Sequence, residues 1–171
     1  SIGGDVSVTI QGASLEPASP IGRVAVPGTV FEPLRITVLK DGKSTALGIP
    51  FSYLRVVSID GPTARCAIVS ALRDPLTKRV ARKTSIVALG IKPGIRPTRL
   101  RFVTRADKAP AAGYLLTART IPDGPPREIG TTDREGRITL ESGFADGLVA
   151  LRLLAGNVEP MVELPLMPGL G

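Results

Sequence analysis

The chain has 171 residues, a formal net charge of +7, 19 Gly, 16 Pro and 43% hydrophobic residues. That length buries a core without disulfides or metal, and the hydrophobic content argues against disorder despite the many Gly and Pro. With no His, no Trp and one Cys, His-based proton shuttling, His-ligated zinc and any intrachain disulfide are excluded.

The sequence opens on Ser1-Ile2-Gly3-Gly4, without Met or a basic-then-apolar leader, which reads as a processed or trimmed product. Short apolar runs punctuated by Gly and Pro then follow. Val6 to Ile10 alternates apolar and polar residues, and Arg23 to Val26 is a second short run closed by Pro27-Gly28. Leu34 to Leu39 alternates strictly until its last residue. Lys40-Asp41-Gly42-Lys43 is a turn signal, and Thr45 to Ile49 returns as the partner strand, so a β-hairpin is expected. No apolar run approaches the roughly 18 residues needed to span a bilayer.

The middle differs in charge. Residues 55 to 105 hold twelve Lys or Arg against Asp60 and Asp74, a net of +10, which leaves the rest of the chain at −3. Thr63 to Leu72 fits a short helix or a buried strand, and periodicity does not choose between them. Asp74-Pro75 reads as a helix start: Asp caps free amides, and Pro has its φ preset for the first helical position. Leu76, Val80, Thr84 and Val87 then recur at helical spacing, with Gly90 or Pro93-Gly94 as the stop. Arg73, Lys78, Arg79, Arg82 and Lys83 are the candidate anion-binding residues of this segment. Nucleic acid is the weaker partner reading, because residues 55 to 101 contain none of the aromatic side chains on which bases stack, and Phe102 is the first.

The last third again reads as strands, at Leu100 to Val103, Tyr114 to Ala118, Arg137 to Leu140, Val149 to Leu154 and Met161 to Leu164. Laid over Leu34 to Leu54 at a constant offset, Val149 to Gly169 pairs Leu34 with Val149, Ile36 with Leu151 and Pro50 with Pro165. An internal duplication and convergent hairpin patterning both fit that match.

The most informative motif is Gly130-Thr131-Thr132-Asp133-Arg134-Glu135-Gly136-Arg137-Ile138-Thr139-Leu140. Asp opens a type I turn and Gly three residues later takes the left-handed conformation, so a hairpin is expected. With Lys108 to Ala118 upstream and Leu148 to Leu153 downstream, residues 98 to 168 resemble the carboxypeptidase-regulatory-like and transthyretin-like domains, small immunoglobulin-like β-sandwiches. The resemblance implies no catalytic residue. The basic helical segment is outside that family's pattern.

Asp123, Asp133, Glu135 and Asp146 are spaced as turn caps and solvated loop carboxylates, without the dense Asp-x-Asp-x-Asp-Gly loop of a calcium site. Cys66 sits in the apolar run Ala64 to Val69 with no His to activate it, so a buried thiol is expected.

These readings give a mainly β protein of immunoglobulin-like or transthyretin-like units with a short helical segment in the middle. The expected divisions are residues 1–60 as an N-terminal β unit, 61–97 as a basic connector and 98–171 as a C-terminal sandwich unit. No catalytic residue, cofactor or metal is expected. The expected role is a non-catalytic binding or structural module of an exported bacterial protein, with a protein or anionic cell-envelope partner. The alternative is polyanion or nucleic-acid binding through the basic middle.

Overall fold

A computed structural model describes residues 2–11, 25–76, 84–141, 144, 147–156 and 162–169. The chain is β throughout this range, every strand pairing is antiparallel, and no α-helix occurs among the described residues. It forms two compact units, Ser1–Ile91 and Lys92–Gly171.

The first unit contains β1 (Ile2–Thr9), β2 (Val30–Val38), β3 (Ser44–Gly48), β4 (Ser52–Asp60), β5 (Thr63–Ser70) and β6 (Thr84–Ile91), all in one sheet. The sheet runs β1-β5-β4-β2-β3, and β6 pairs with the other side of β2. Alternation on paired strands places Val6 and Val8, Ala64 and Cys66, Leu54 and Val56, and Phe31 on one face, where they form the core. Burying each larger aliphatic side chain there contributes about 1.5–3 kcal/mol. Cys66 is fully buried among them, as its apolar neighbours in the sequence imply, and burial raises its thiol pKa.

The expected hairpin forms between β2 and β3, with Leu34 opposite Gly48 and Val38 opposite Ser44. Leu39 N–H donates to the Lys43 carbonyl at 2.7 Å, and Gly42 supplies the positive φ of +82° that closes the turn. If that register continued along β2, Phe31 would face residue 51; it faces Leu54 instead. Residues 49–51 are thus a three-residue excursion between β3 and β4. It is fixed by buried Ile49, whose N–H donates to the Pro33 carbonyl, and by the buried Ser52–Ser70 hydroxyl pair at 2.8 Å.

Thr63 to Leu72, left open between a short helix and a buried strand, is a strand over Thr63–Ser70. Two other expectations for the middle need correction. Thr84 to Gly90, expected as the end of a helix, is instead strand β6, paired with β2 at eight successive positions. The helical spacing of Thr84 and Val87 was fortuitous. The alternation that matters sets Ile86, Ala88 and Gly90 on one face, with Ala88 packed on the core, and β-branched residues suit that pleated surface. Gly90, read as a helix stop, lies within β6 opposite Phe31, and a Cβ there would sit in ordinary contact with the Phe31 ring at 3.6 Å. Residues 61–97, expected as a separate connector, supply β5 and β6 to the first sheet. The expected helical positions from 77 to 83, and the expected run at Arg23 and Val24, lie outside the described residues.

The second unit contains β7 (Thr98–Arg101), β8 (Leu115–Thr120), β9 (Arg127–Thr131), β10 (Arg137–Leu140), β11 (Val149–Leu154) and β12 (Val162–Leu166). One sheet has the order β12-β11-β8-β9, and β7 and β10 form a separate two-stranded ribbon. Leu116 and Ala118 of β8 and Val149, Leu151 and Leu153 of β11 share a face by register, and all are buried. Leu140 of the ribbon belongs to the same core, against which Leu100 and Ile138 also pack. Both sheets therefore contribute to one interior. On the opposite face of the larger sheet, Glu163 faces Arg152 across the strands at 3.1 Å and also lies 3.8 Å from Arg119.

The gapless overlay of the two hairpins does not survive in the pairing. Leu34 pairs with Gly48, whose counterpart would be Glu163, but Val149 pairs with Leu166, three residues further on. Pro50 lies in the turn after β3, whereas Pro165 is inside β12 opposite Ala150.

Candidate functional site

The ribbon of the second unit carries the most concentrated exposed chemistry. Arg101 lies directly opposite Arg137, and Arg99 directly opposite Thr139. Residues opposite one another, or two apart on one strand, share a face. Arg99, Arg101, Arg137 and Thr139 therefore stand together on the exposed side, while Leu100 and Ile138 turn inward to the core. The short polar-apolar alternation of Thr98-Arg99-Leu100-Arg101 and Arg137-Ile138-Thr139-Leu140 sets this division.

Over the ribbon lies an open depression of about 570 Å³, lined by these four side chains together with Leu100, Ile138 and Asp133. The turn that ends at Arg137 defines one of its walls. Asp133 Oδ1 accepts the backbone N–H groups of Glu135 and Arg137, each at 2.8 Å. These bonds, the one from Arg137 first, hold the Asp133 carboxyl below its ordinary pKa. Gly136 adopts a φ of +72°, and a Cβ there would meet the Phe102 carbonyl oxygen at 2.3 Å. Only Gly fits this position. Thr132, buried behind the turn, donates its hydroxyl to the Ala111 carbonyl at 2.6 Å and accepts the Tyr114 N–H at 3.0 Å.

The turn has the expected chemistry but joins different partners. β9 pairs with β8 and β10 pairs with β7, so the segment is a corner between two sheets rather than a hairpin. The reason lies at Gly136, whose carbonyl accepts the Phe102 N–H at 2.8 Å and so ties the start of β10 to the end of β7.

The electrostatic balance of the face is positive. Arg137 is ion-paired with Glu135, and Arg101 Nε donates to the Glu135 main-chain carbonyl at 3.4 Å. Arg99 has no ion-pair partner among the described residues. Three guanidiniums on one exposed surface, with Thr139 as a neutral donor, suit planar oxyanions such as carboxylate, sulfate or phosphate groups.

Of the anion-binding residues expected from the sequence, Arg73 lies exposed in the bend after β5. Lys78, Arg79, Arg82 and Lys83 lie outside the described residues. Arg99 and Arg101 were visible only as part of the basic run. Arg137 and Thr139 were missed, because nothing in the sequence says that β10 pairs with β7. Among the described residues no three Cys, Asp or Glu side chains gather into a metal-binding group, and Asp146 lies outside them. No helix among the described residues is long and apolar enough to cross a membrane. No family model, curated protein or solved structure matches this chain.

Proposed function

We propose that the chain is a non-catalytic binding module of an exported bacterial protein, and that its second unit is a transthyretin-like β-sandwich engaging an anionic cell-envelope polymer. The observation that carries this reading is the exposed β7–β10 face, where Arg99, Arg101, Arg137 and Thr139 share one open surface. In support of the sandwich assignment are the Thr132-Asp133-Gly136 corner and the interior that both sheets of the unit share. The buried Cys66, with its raised pKa, is not presented as a nucleophile.

The reading is tested by binding of the full chain to poly(glycerol phosphate) and to heparin, with neutral dextran as control. Retention that falls steeply with added salt is expected, since exposed charge pairing is screened within a Debye length. Arg99→Glu with Arg101→Glu should abolish retention while preserving the fold. Equal retention by that variant removes the ribbon from the function, and no retention of the native chain at low salt removes the polyanion.

A further inference from the structure

In the first unit, β6 runs Thr84-Ser85-Ile86-Val87-Ala88-Leu89-Gly90-Ile91 and pairs with β2 without a register shift. Its other edge has no partner strand among the described residues. Such an edge presents a row of free N–H and C=O groups, and natural proteins normally guard it with charge, Pro, a bulge or short length. The other edges here are guarded in those ways. β1 carries Asp5 and a register shift, β3 has five residues, β9 carries Arg127 and Glu128 with a shift, and β12 carries Glu163 and Pro165. β6 has none of these devices.

Besides the polar Ser85, β6 exposes two large apolar side chains. Val87 is 44% exposed and Leu89 54% exposed. Val87 lies opposite the half-buried Leu34, with Ile36 next to Leu34 on that face of β2, while Leu89 lies opposite Glu32.

We propose that β6 is a pairing edge for a second copy of this chain, the two β6 strands joining antiparallel about a two-fold axis at Ala88. The charge pattern selects this occupant. A symmetric pair sets each strand against itself, and a strand without charge is one on which self-pairing brings no like charges opposite. Centring on Ala88 sets Val87 of one copy opposite Leu89 of the other. Both apolar strips then lie on one side of a sheet continuous through both copies, and each exposed apolar side chain gains a cross-strand neighbour.

The test is sedimentation equilibrium of the full chain, alongside Val87→Lys, Leu89→Lys and single-cysteine exchanges. Because Val87 and Leu89 are exposed, their substitution leaves the unit folded, which circular dichroism checks. The native chain should sediment as a dimer and each lysine variant as a monomer. Under mild oxidation, a mixture of Val87→Cys and Leu89→Cys chains should cross-link, since directly opposed residues bring their Cα atoms to about 4.5–5.5 Å, within disulfide reach. Each variant alone should cross-link far less, because its thiols are diagonal; buried Cys66 stays silent. A native monomer overturns the proposal, whether solvent or another part of the chain covers β6. A dimer that persists in both lysine variants, or cross-linking as efficient in the single variants as in the mixture, also overturns it.

Discussion

Arg101 and Arg137 stand directly opposite one another on the exposed face of the β7–β10 ribbon, with Glu135 bonded to both. Like charges in directly opposed positions destabilise a strand pair, and opposed pairs are worth about 0.2–1 kcal/mol. Arg101→Thr is therefore expected to raise the stability of the second unit by a few tenths of a kcal/mol at low salt, with the gain shrinking as salt rises. The same substitution should weaken polyanion retention. Denaturant melts at two salt concentrations check the first part, and a destabilised variant would contradict it.

Gly136 and Gly113 both have positive φ, +72° and +76°, yet they differ in surroundings. A Cβ at Gly113 meets nothing within 4 Å, whereas one at Gly136 strikes the Phe102 carbonyl oxygen. Gly113→Ala should cost about 1–2 kcal/mol from its left-handed backbone alone. Gly136→Ala carries that penalty and must also displace the end of β7, so its midpoint in a melt should fall clearly further. Equal losses for the two would mean that the corner does not pin the ribbon.

Asp133 gives the second unit an acid-sensitive component. Its pKa is lowered by the Arg137 and Glu135 N–H groups and by the Arg137 charge, against opposing desolvation. A carboxyl with a depressed folded-state pKa contributes stability that is fully present above its unfolded value and fades as pH falls through the folded value. The stability gap between the native chain and Asp133→Asn should therefore be widest near neutrality and close in acid. Asp107, lowered first by its Thr104 hydrogen bond and then by Ala109 N–H, acts in the same direction in its own turn. Thermal melts across the acid range read the gap, and a gap that widens in acid reverses the assignment.

Thr132→Val keeps the shape of a buried side chain but removes the donor to Ala111 and the acceptor for Tyr114. Leaving buried groups unpaired costs about 1–3 kcal/mol. Urea unfolding should show a loss in that range, and a neutral effect would mean that the turn at Ala111 to Tyr114 is held by its backbone bonds alone.

The fold was legible where local signals act alone. Alternation located Arg137–Leu140, an apolar run bounded by turn residues located Val149–Leu154, and Asp41-Gly42 located the β2–β3 turn. It was illegible where pairing across the chain decides. Thr84–Ile91 has spacing that suits a helix as well as a strand, and only β2 beside it makes the difference. Ser52–Asp60 carries no clean pattern, because polar Ser52 is buried while apolar Val57 and Ile59 are exposed. The candidate site fell between these cases. Arg99 and Arg101 were countable as charge, but their neighbours Arg137 and Thr139 come from a strand nearly forty residues away.

The most direct measurement of anion recognition at the ribbon is an amide NMR titration of the full chain with a short poly(glycerol phosphate). Saturable shifts are expected on Arg99, Arg101, Arg137 and Thr139 and their strand neighbours, and their loss is expected in the Arg99→Glu, Arg101→Glu variant. Shifts centred elsewhere, such as around Arg73, or unchanged in that variant, would contradict anion recognition at the ribbon.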